Sequence, residues 1–214
     1  MYSREKATRL HLVRHAEVDE AYHEVFGGQI DMELSPVGHE QAKGLAKFLN
    51  GRTFDRIYRS PMVRVRQTAK PLLDALGREA QVIEDLREVD FGVWTGHKWH
   101  EIQEKFGVDA EDWLVHLENG DVAEAEPMDG YQSRIRGSLE HMMDEGAGQD
   151  VLVLCHGGVI RMLLALLLDE PFSKMDRFEV DFASLTVIEH RSNRAEIKLH
   201  NFAPWQWLGK NGGM

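Results

Sequence analysis

The run Asp-Val-Leu-Val-Leu-Cys at 150–155, followed by His156-Gly157-Gly158 and an apolar stretch over 159–168, limits the fold more than any other part of the chain. A strand with apolar side chains at consecutive positions sends them to both faces of a sheet. Both faces must then be covered, which is the situation of a central strand in a mainly parallel sheet flanked by helices. A buried helix after the glycine pair supplies one of those covers.

The rest of the chain reads in the same alternating way. A short buried strand is expected over 10–13 and leads into Arg14-His15. Ser35-Pro36 supplies a cap and a first-turn proline for a helix over 36–49. A second strand is expected over 54–58, and Ser60-Pro61 repeats the cap signal for a helix reaching Leu76, with a bend at Pro71, which lacks a backbone donor. Short strands are expected over 81–83, 185–189 and 195–200. Helical segments near 99–106, 110–117 and 131–144 give the stretch 96–145 the look of an acidic helical insertion, a lid over one end of the sheet. Strands alternating with helices predict an α/β fold, here one domain over 1–214.

Composition narrows the partners. A net charge of -11 disfavours nucleic acid and anionic membranes, whose binding needs clustered Lys and Arg. Cys155 is the only cysteine, so no intrachain disulfide can form, and with no signal-like apolar stretch at the N-terminus the chain is expected in the cytoplasm. An anionic ligand therefore has to meet a local positive pocket.

Such a pocket is expected where ligands sit in open α/β sheets, beyond the carboxyl ends of the strands. Arg14-His15 and His156 both fall there. Arg64, in the first turn of its helix, adds a guanidinium where backbone N–H groups already favour an anion, while Arg66 points elsewhere. Two guanidiniums and two imidazoles suit a compact oxyanion, and phosphate is the common one. Neighbouring arginines keep an imidazole neutral and nucleophilic. His15 is thus expected to attack phosphorus, with Arg14, Arg64 and His156 holding the equatorial oxygens. Glu88, placed beyond the third strand, is expected to protonate the leaving oxygen and then activate water.

These blocks, taken together and in order, resemble the histidine phosphatase superfamily, the phosphoglycerate-mutase-like enzymes. They are Arg14-His15-Ala16-Glu17, Ser60-Pro61-Met62-Val63-Arg64 through Ala69, Glu88 with its glycine- and tryptophan-bearing run to Gly96, and the strand ending in His156-Gly157-Gly158. The resemblance implies a three-layer α/β/α sandwich around a six-stranded mixed sheet, and metal-independent phosphoryl transfer through a phosphohistidine, with no cofactor. It also implies that Gly28 and Gly157 help bind the phosphate. A small phosphorylated metabolite is the expected substrate, inorganic phosphate the product. The run Glu88 to Trp94 is similar to α-ribazole phosphate phosphatases, and Arg14-His15-Ala16-Glu17 to metal-independent phosphoserine phosphatases. Two positions depart from the family pattern: Ala21 stands where Asn is common, and Met128-Asp129-Gly130-Tyr131 replaces a Gly-Gly-Glu-Ser block.

Three other functions remain in view. Phosphoglycerate mutases of this family usually follow the acid with Arg-x-Tyr-Gly, whereas Glu88 is followed by Val89-Asp90-Phe91-Gly92. A cysteine phosphatase is suggested by Cys155-x2-Gly158-x2-Arg161. A non-catalytic phospholigand-binding module is the third. His11 and His15 on a strand lie about 13 Å apart and do not share a metal, and His97 and His100 are expected on the exposed side of the insertion. Trp94, Trp99 and Trp113 are candidates for core or pocket mouth. Trp205 and Trp207 can dock on the body or on a second copy in a homodimer.

Overall fold

The computed structural model describes residues 6–192 and 194–206. Its centre is a six-stranded sheet built from β1 (Thr8–Arg14), β2 (Arg56–Arg59), β3 (Gln81–Val82), β4 (Asp150–Cys155), β5 (Leu185–Arg191) and β6 (Arg194–Phe202), in the order β3-β2-β4-β1-β5-β6. The pairs β3/β2, β2/β4 and β4/β1 are parallel, whereas β5 runs antiparallel to both β1 and β6. Helices α1 (Pro36–Leu49), α2 (Val63–Leu76), α3 (Trp99–Phe106), α4 (Trp113–Asn119), α5 (Met128–Glu145) and α6 (Gly157–Leu168) complete it.

Strand alternation sorts the core into two layers. Leu10, Leu12, Val151, Val153 and Cys155 pack with Ile135, Leu139 and Met142 of α5 and with Val159, Leu163 and Leu164 of α6. The intervening Val13, Leu152 and Leu154 pack with Leu45 and Leu49 of α1 and with Val65, Ala69 and Leu72 of α2. Both faces of β4 are buried, as its unbroken apolar run requires. This is the three-layer sandwich of the sequence reading.

Helix α1 starts and stops where its cap predicts, with Ser35 Oγ accepting from the Gly38 N–H. The second cap signal fails. Helix α2 begins at Val63 after Met62, and the Ser60 hydroxyl is instead 2.8 Å from His156 Nε2. The helix continues unbroken through Pro71. Strand β2 starts at Arg56, because Phe54 is already spent in the core before pairing begins. Helix α6 starts two residues before the apolar run, with His156 as its extended N-cap. The expected helix at 110–117 divides into a 3-10 turn at Ala110–Asp112, capped by Asp109, and α4.

Within the stretch 96–145, α3 packs on the 3-10 turn at Ala110–Asp112, and α4 packs on that turn and on the 3-10 segment Phe172–Arg177. Helix α5 packs against α6 as a layer helix. Trp205 docks on its own chain, its indole N–H donating to the Phe182 carbonyl at 2.9 Å, whereas Trp207 lies outside the described residues. Among the described residues no helix is long and apolar enough to cross a membrane.

Candidate active site

Strands β1 and β4 are neighbours whose following connections leave for opposite faces of the sheet, α1 on one and α6 on the other, which opens a crevice at their carboxyl ends. Alternation then aims the side chains. Arg14 shares the face of Leu10 and Leu12 and turns towards α6, where a Cβ on Gly157 would lie 3.4 Å from its Nε. His15 shares the face of Val13 and turns towards α2, where Arg64 Nε donates to its Nε2 at 3.3 Å. His156, one past the end of β4, turns the same way, and the two imidazole centroids are 5.3 Å apart.

The His15 backbone is held from both sides: its N–H donates to the Cys155 carbonyl at 3.0 Å, and its carbonyl accepts from the Ala183 N–H at 3.1 Å. Its ring is held too. Nδ1 lies 2.8 Å from the Ala16 carbonyl, which can only accept, so Nδ1 carries the proton and Nε2 keeps the lone pair. Burial first, then the Arg64 and Arg14 charges, hold this imidazole well below its ordinary range. His156 is pushed the same way by burial, Arg64, His15 and Arg14. Both rings are neutral at pH 7. A neutral ring presenting an unshared pair beside two guanidiniums is a competent nucleophile for phosphorus.

The guanidiniums are fixed by carbonyls. Arg64 donates Nη1 to Ile30 at 2.7 Å and Nη2 to Gly28 at 2.9 Å. Gly28 has φ +45°, so its carbonyl reaches Arg64 from a backbone conformation that glycine adopts freely. Arg14 donates Nη1 to Val180 at 2.6 Å and lies 4.0 Å from the centroid of the Phe182 ring, while its buried Nε has no partner. Burial brings each guanidinium down to about 10, still charged at neutral pH. His156 Nδ1 is likewise buried and unpartnered. The unpaired Arg14 Nε, a buried donor on a residue that lines a cationic crevice, is a group suited to an anion.

Glu88 is held by its own loop and by α6. Its Oε1 accepts from the Val89 N–H at 3.1 Å, and its Oε2 from the Gly158 N–H at 3.0 Å. The lack of a side chain at Gly158 leaves room for the carboxylate in this position, since a Cβ there would overlap Oε1 and lie 3.3 Å from the Tyr131 hydroxyl. Arg134 of α5 clamps the backbone beneath, donating to the Arg87 carbonyl at 2.7 Å and the Glu88 carbonyl at 3.2 Å while paired with Glu126.

His15, Arg14, Arg64, Glu88, Gly28 and Gly157 therefore line one cavity of about 790 Å³, with His156 buried directly behind His15. Arg66 is exposed and away from it, and Ala21 is exposed while Tyr22 and His23 reach the cavity in its place. Sequence reading missed the role of Ser60, which orients His156, and of Gly158 and Arg134, which position Glu88; it also missed Arg161 and Phe182 as lining residues. Trp94 is core at 3% exposure, whereas Trp99 and Trp113 line the cavity. The cysteine-phosphatase reading does not survive the geometry. Cys155 lies in β4 within the core, and burial pushes its thiol far up, the reverse of what a nucleophilic thiolate needs. Among the described residues no three His, Cys, Asp or Glu side chains cluster as a metal site would.

With this geometry in hand, comparison with known proteins places the chain. The family model for the histidine phosphatase superfamily (branch 1) matches residues 10–203. Phosphoserine phosphatase 1 of Hydrogenobacter thermophilus is 32% identical over 189 residues, covering 88% of this chain and 90% of the relative. The adenosylcobalamin/alpha-ribazole phosphatase of Escherichia coli is 25% identical, with 90% and 95% covered. A mycobacterial glucosyl-3-phosphoglycerate phosphatase superposes with a TM-score of 0.81 at 26% identity, covering 92% of this chain and 99% of that one. The chain belongs to branch 1 of the histidine phosphatase superfamily and is a phosphoric monoester hydrolase.

Proposed function

We propose that the chain hydrolyses a small phosphorylated metabolite in two steps through a phosphohistidine on His15, without metal or other cofactor. The phosphate sits against Arg14, Arg64 and His156, with the backbone at Gly28 and Gly157 completing the cradle. His15 Nε2 attacks phosphorus in line with the leaving oxygen; the P–O bond to the alcohol breaks, and Glu88 gives that oxygen its proton. In the second step the Glu88 carboxylate takes a proton from water, whose oxygen attacks phosphorus. The P–N bond breaks and inorganic phosphate leaves. The observation that carries this reading is the Nδ1 contact with the Ala16 carbonyl, which leaves Nε2 unprotonated beside Arg64.

The same proposal takes the chain as one domain, with α3 and α4 as a lid over the cavity and the cytoplasm as its place of action. Homologous phosphoserine and α-ribazole phosphatases support a small substrate, and a related phosphatase structure holding inorganic phosphate supports the product. A homodimer draws no support from Trp205, which is taken up by its own chain.

Rapid quenching with a phosphomonoester labelled in its phosphate, in EDTA, tests the mechanism. An acid-labile phosphoenzyme should form, should be absent in His15→Ala, and should persist in Cys155→Ser. Labelling that survives in His15→Ala, or no labelling with any phosphomonoester that is turned over, refutes the assignment.

A further inference from the structure

The cavity changes character from floor to mouth. Its floor is cationic, with Arg14, Arg64 and Arg161, but its outer wall is aromatic and acidic. Trp99 stacks on Phe26 with centroids 4.8 Å apart, Phe26 meets Phe91 edge-on at 4.9 Å, and Phe91 meets Trp113 edge-on at 5.7 Å. The four rings thus form one continuous wall. An exposed acid accompanies each tryptophan in the lining. The Trp99 backbone N–H donates to the Glu24 backbone carbonyl at 2.9 Å, and Glu111 lies two residues before Trp113 in the 3-10 turn that leads into α4; both acids line the cavity.

A phosphate occupies only a small part of about 790 Å³, so the leaving alcohol of the ester has to lie along this wall. Aromatic faces attract cations through their quadrupole, most strongly when the cation is desolvated, and indole faces are the best of them. Two carboxylates at the same rim add attraction for a positive charge and repel a carboxylate-bearing alcohol.

We propose that the alcohol released by this enzyme carries an ammonium group, seated against the aromatic wall that runs from Trp99 to Trp113, at the rim where Glu24 and Glu111 lie. The proposal rests on the phosphatase reading above and names the substrate class of that same site. Opposite charges at the two ends of one small ester then match the opposite charges at the two ends of the cavity, which fixes the direction in which the molecule enters.

A matched pair of esters isolates the charge. Choline phosphate and 3,3-dimethylbutyl phosphate have the same shape and differ by nitrogen against carbon, so the ratio of their kcat/KM reads the mouth alone. The ratio should favour choline phosphate about tenfold, within the range of a desolvated cation over indole. In Glu24→Gln combined with Glu111→Gln it should fall to about twofold. The same preference should appear as a ratio of affinities in His15→Ala, measured calorimetrically, where no turnover intervenes. A ratio of one or less, or one unchanged in the double variant, overturns the proposal. So does the pair being refused while 4-nitrophenyl phosphate is turned over. If the phosphoenzyme still forms on His15 in those cases, the ammonium assignment falls alone; loss of the phosphoenzyme with an intact affinity ratio removes the mechanism and leaves the assignment.

Discussion

Replacing Gly158 by alanine puts a methyl group where the Glu88 carboxylate now lies. The helix itself gains from the change, by roughly 0.5–1 kcal/mol for alanine over glycine in a helical position. Against this stands the bond from the Gly158 N–H to Oε2 at 3.0 Å, a hydrogen bond to a charged group of the kind worth about 1.5–3 kcal/mol. The net loss of stability is therefore about 2.5 kcal/mol at most, roughly 5–10 °C in Tm for a domain of this size, and the variant should fold. The catalytic effect is larger. The carboxylate has to withdraw by roughly 1 Å, a displacement that costs on the order of 100-fold when a proton must pass. It also separates two kinds of substrate. An alkyl phosphate releases a poor leaving oxygen that needs the proton, whereas 4-nitrophenoxide leaves without one near neutral pH. Stopped-flow assays should show kcat for alkyl phosphates down by about 100-fold. With 4-nitrophenyl phosphate the first turnover should remain fast, giving a burst of 4-nitrophenol, and later turnovers should be slow because water also needs the displaced carboxylate. Equal losses for alkyl and aryl esters, or losses below about twofold for both, would show that Glu88 is not the proton donor.

Stability and activity should both report the neutral imidazoles. His15 and His156 are held well below the ordinary value of 6.5, so as pH falls below that value the unfolded chain binds protons that the folded chain refuses. Tm should therefore drop from pH 7 to pH 5, with a slope approaching about 2.7 kcal/mol per pH unit for two such groups, and His156→Gln should flatten it; a flat native profile refutes the shift. For the same reason kcat/KM should hold its plateau below pH 6.5 instead of falling with an ordinary histidine. Ser60→Ala should cost about 1–3 kcal/mol by leaving buried His156 Nε2 unpaired, and should raise KM for phosphate esters more than Ser60→Thr, which keeps the hydroxyl; equal effects on KM would refute the orienting role of Ser60.

The parts of this molecule that sequence revealed are those whose cause is local. Ser35-Pro36 sets the start of α1, and the unbroken apolar run sets β4 as central. From those, the strand-end positions of His15 and His156 follow, and with them the crevice. Glu88 and Arg64 were legible because their residue types match the chemistry demanded there. What escaped depends on partners remote in the chain. The Ser60 bond to His156 spans 96 residues, and the Gly158 bond to Glu88 spans 70. Ser60 was misread for that reason: a serine before a proline signals a helix cap, and a distant imidazole outbid the helix. Gly157 and Gly158 shifted the apparent start of α6 in the same way, since their low helix propensity hides a place chosen for lack of side chains. Helix α5 looked like part of the insertion because polar residues separate its apolar positions, so that Ile135, Leu139 and Met142, which dock it in the core with α6, stand out little in the sequence.

The clamping of His15 by β4 on one side and the loop into β5 on the other has a kinematic consequence. With backbone and Nδ1 both tied, the ring has no freedom to advance on its target. In the proposed transfer phosphorus itself moves, passing from the alcohol oxygen on one side to the fixed Nε2 on the other, so the speed of the step is governed by how well the ester is aligned on arrival.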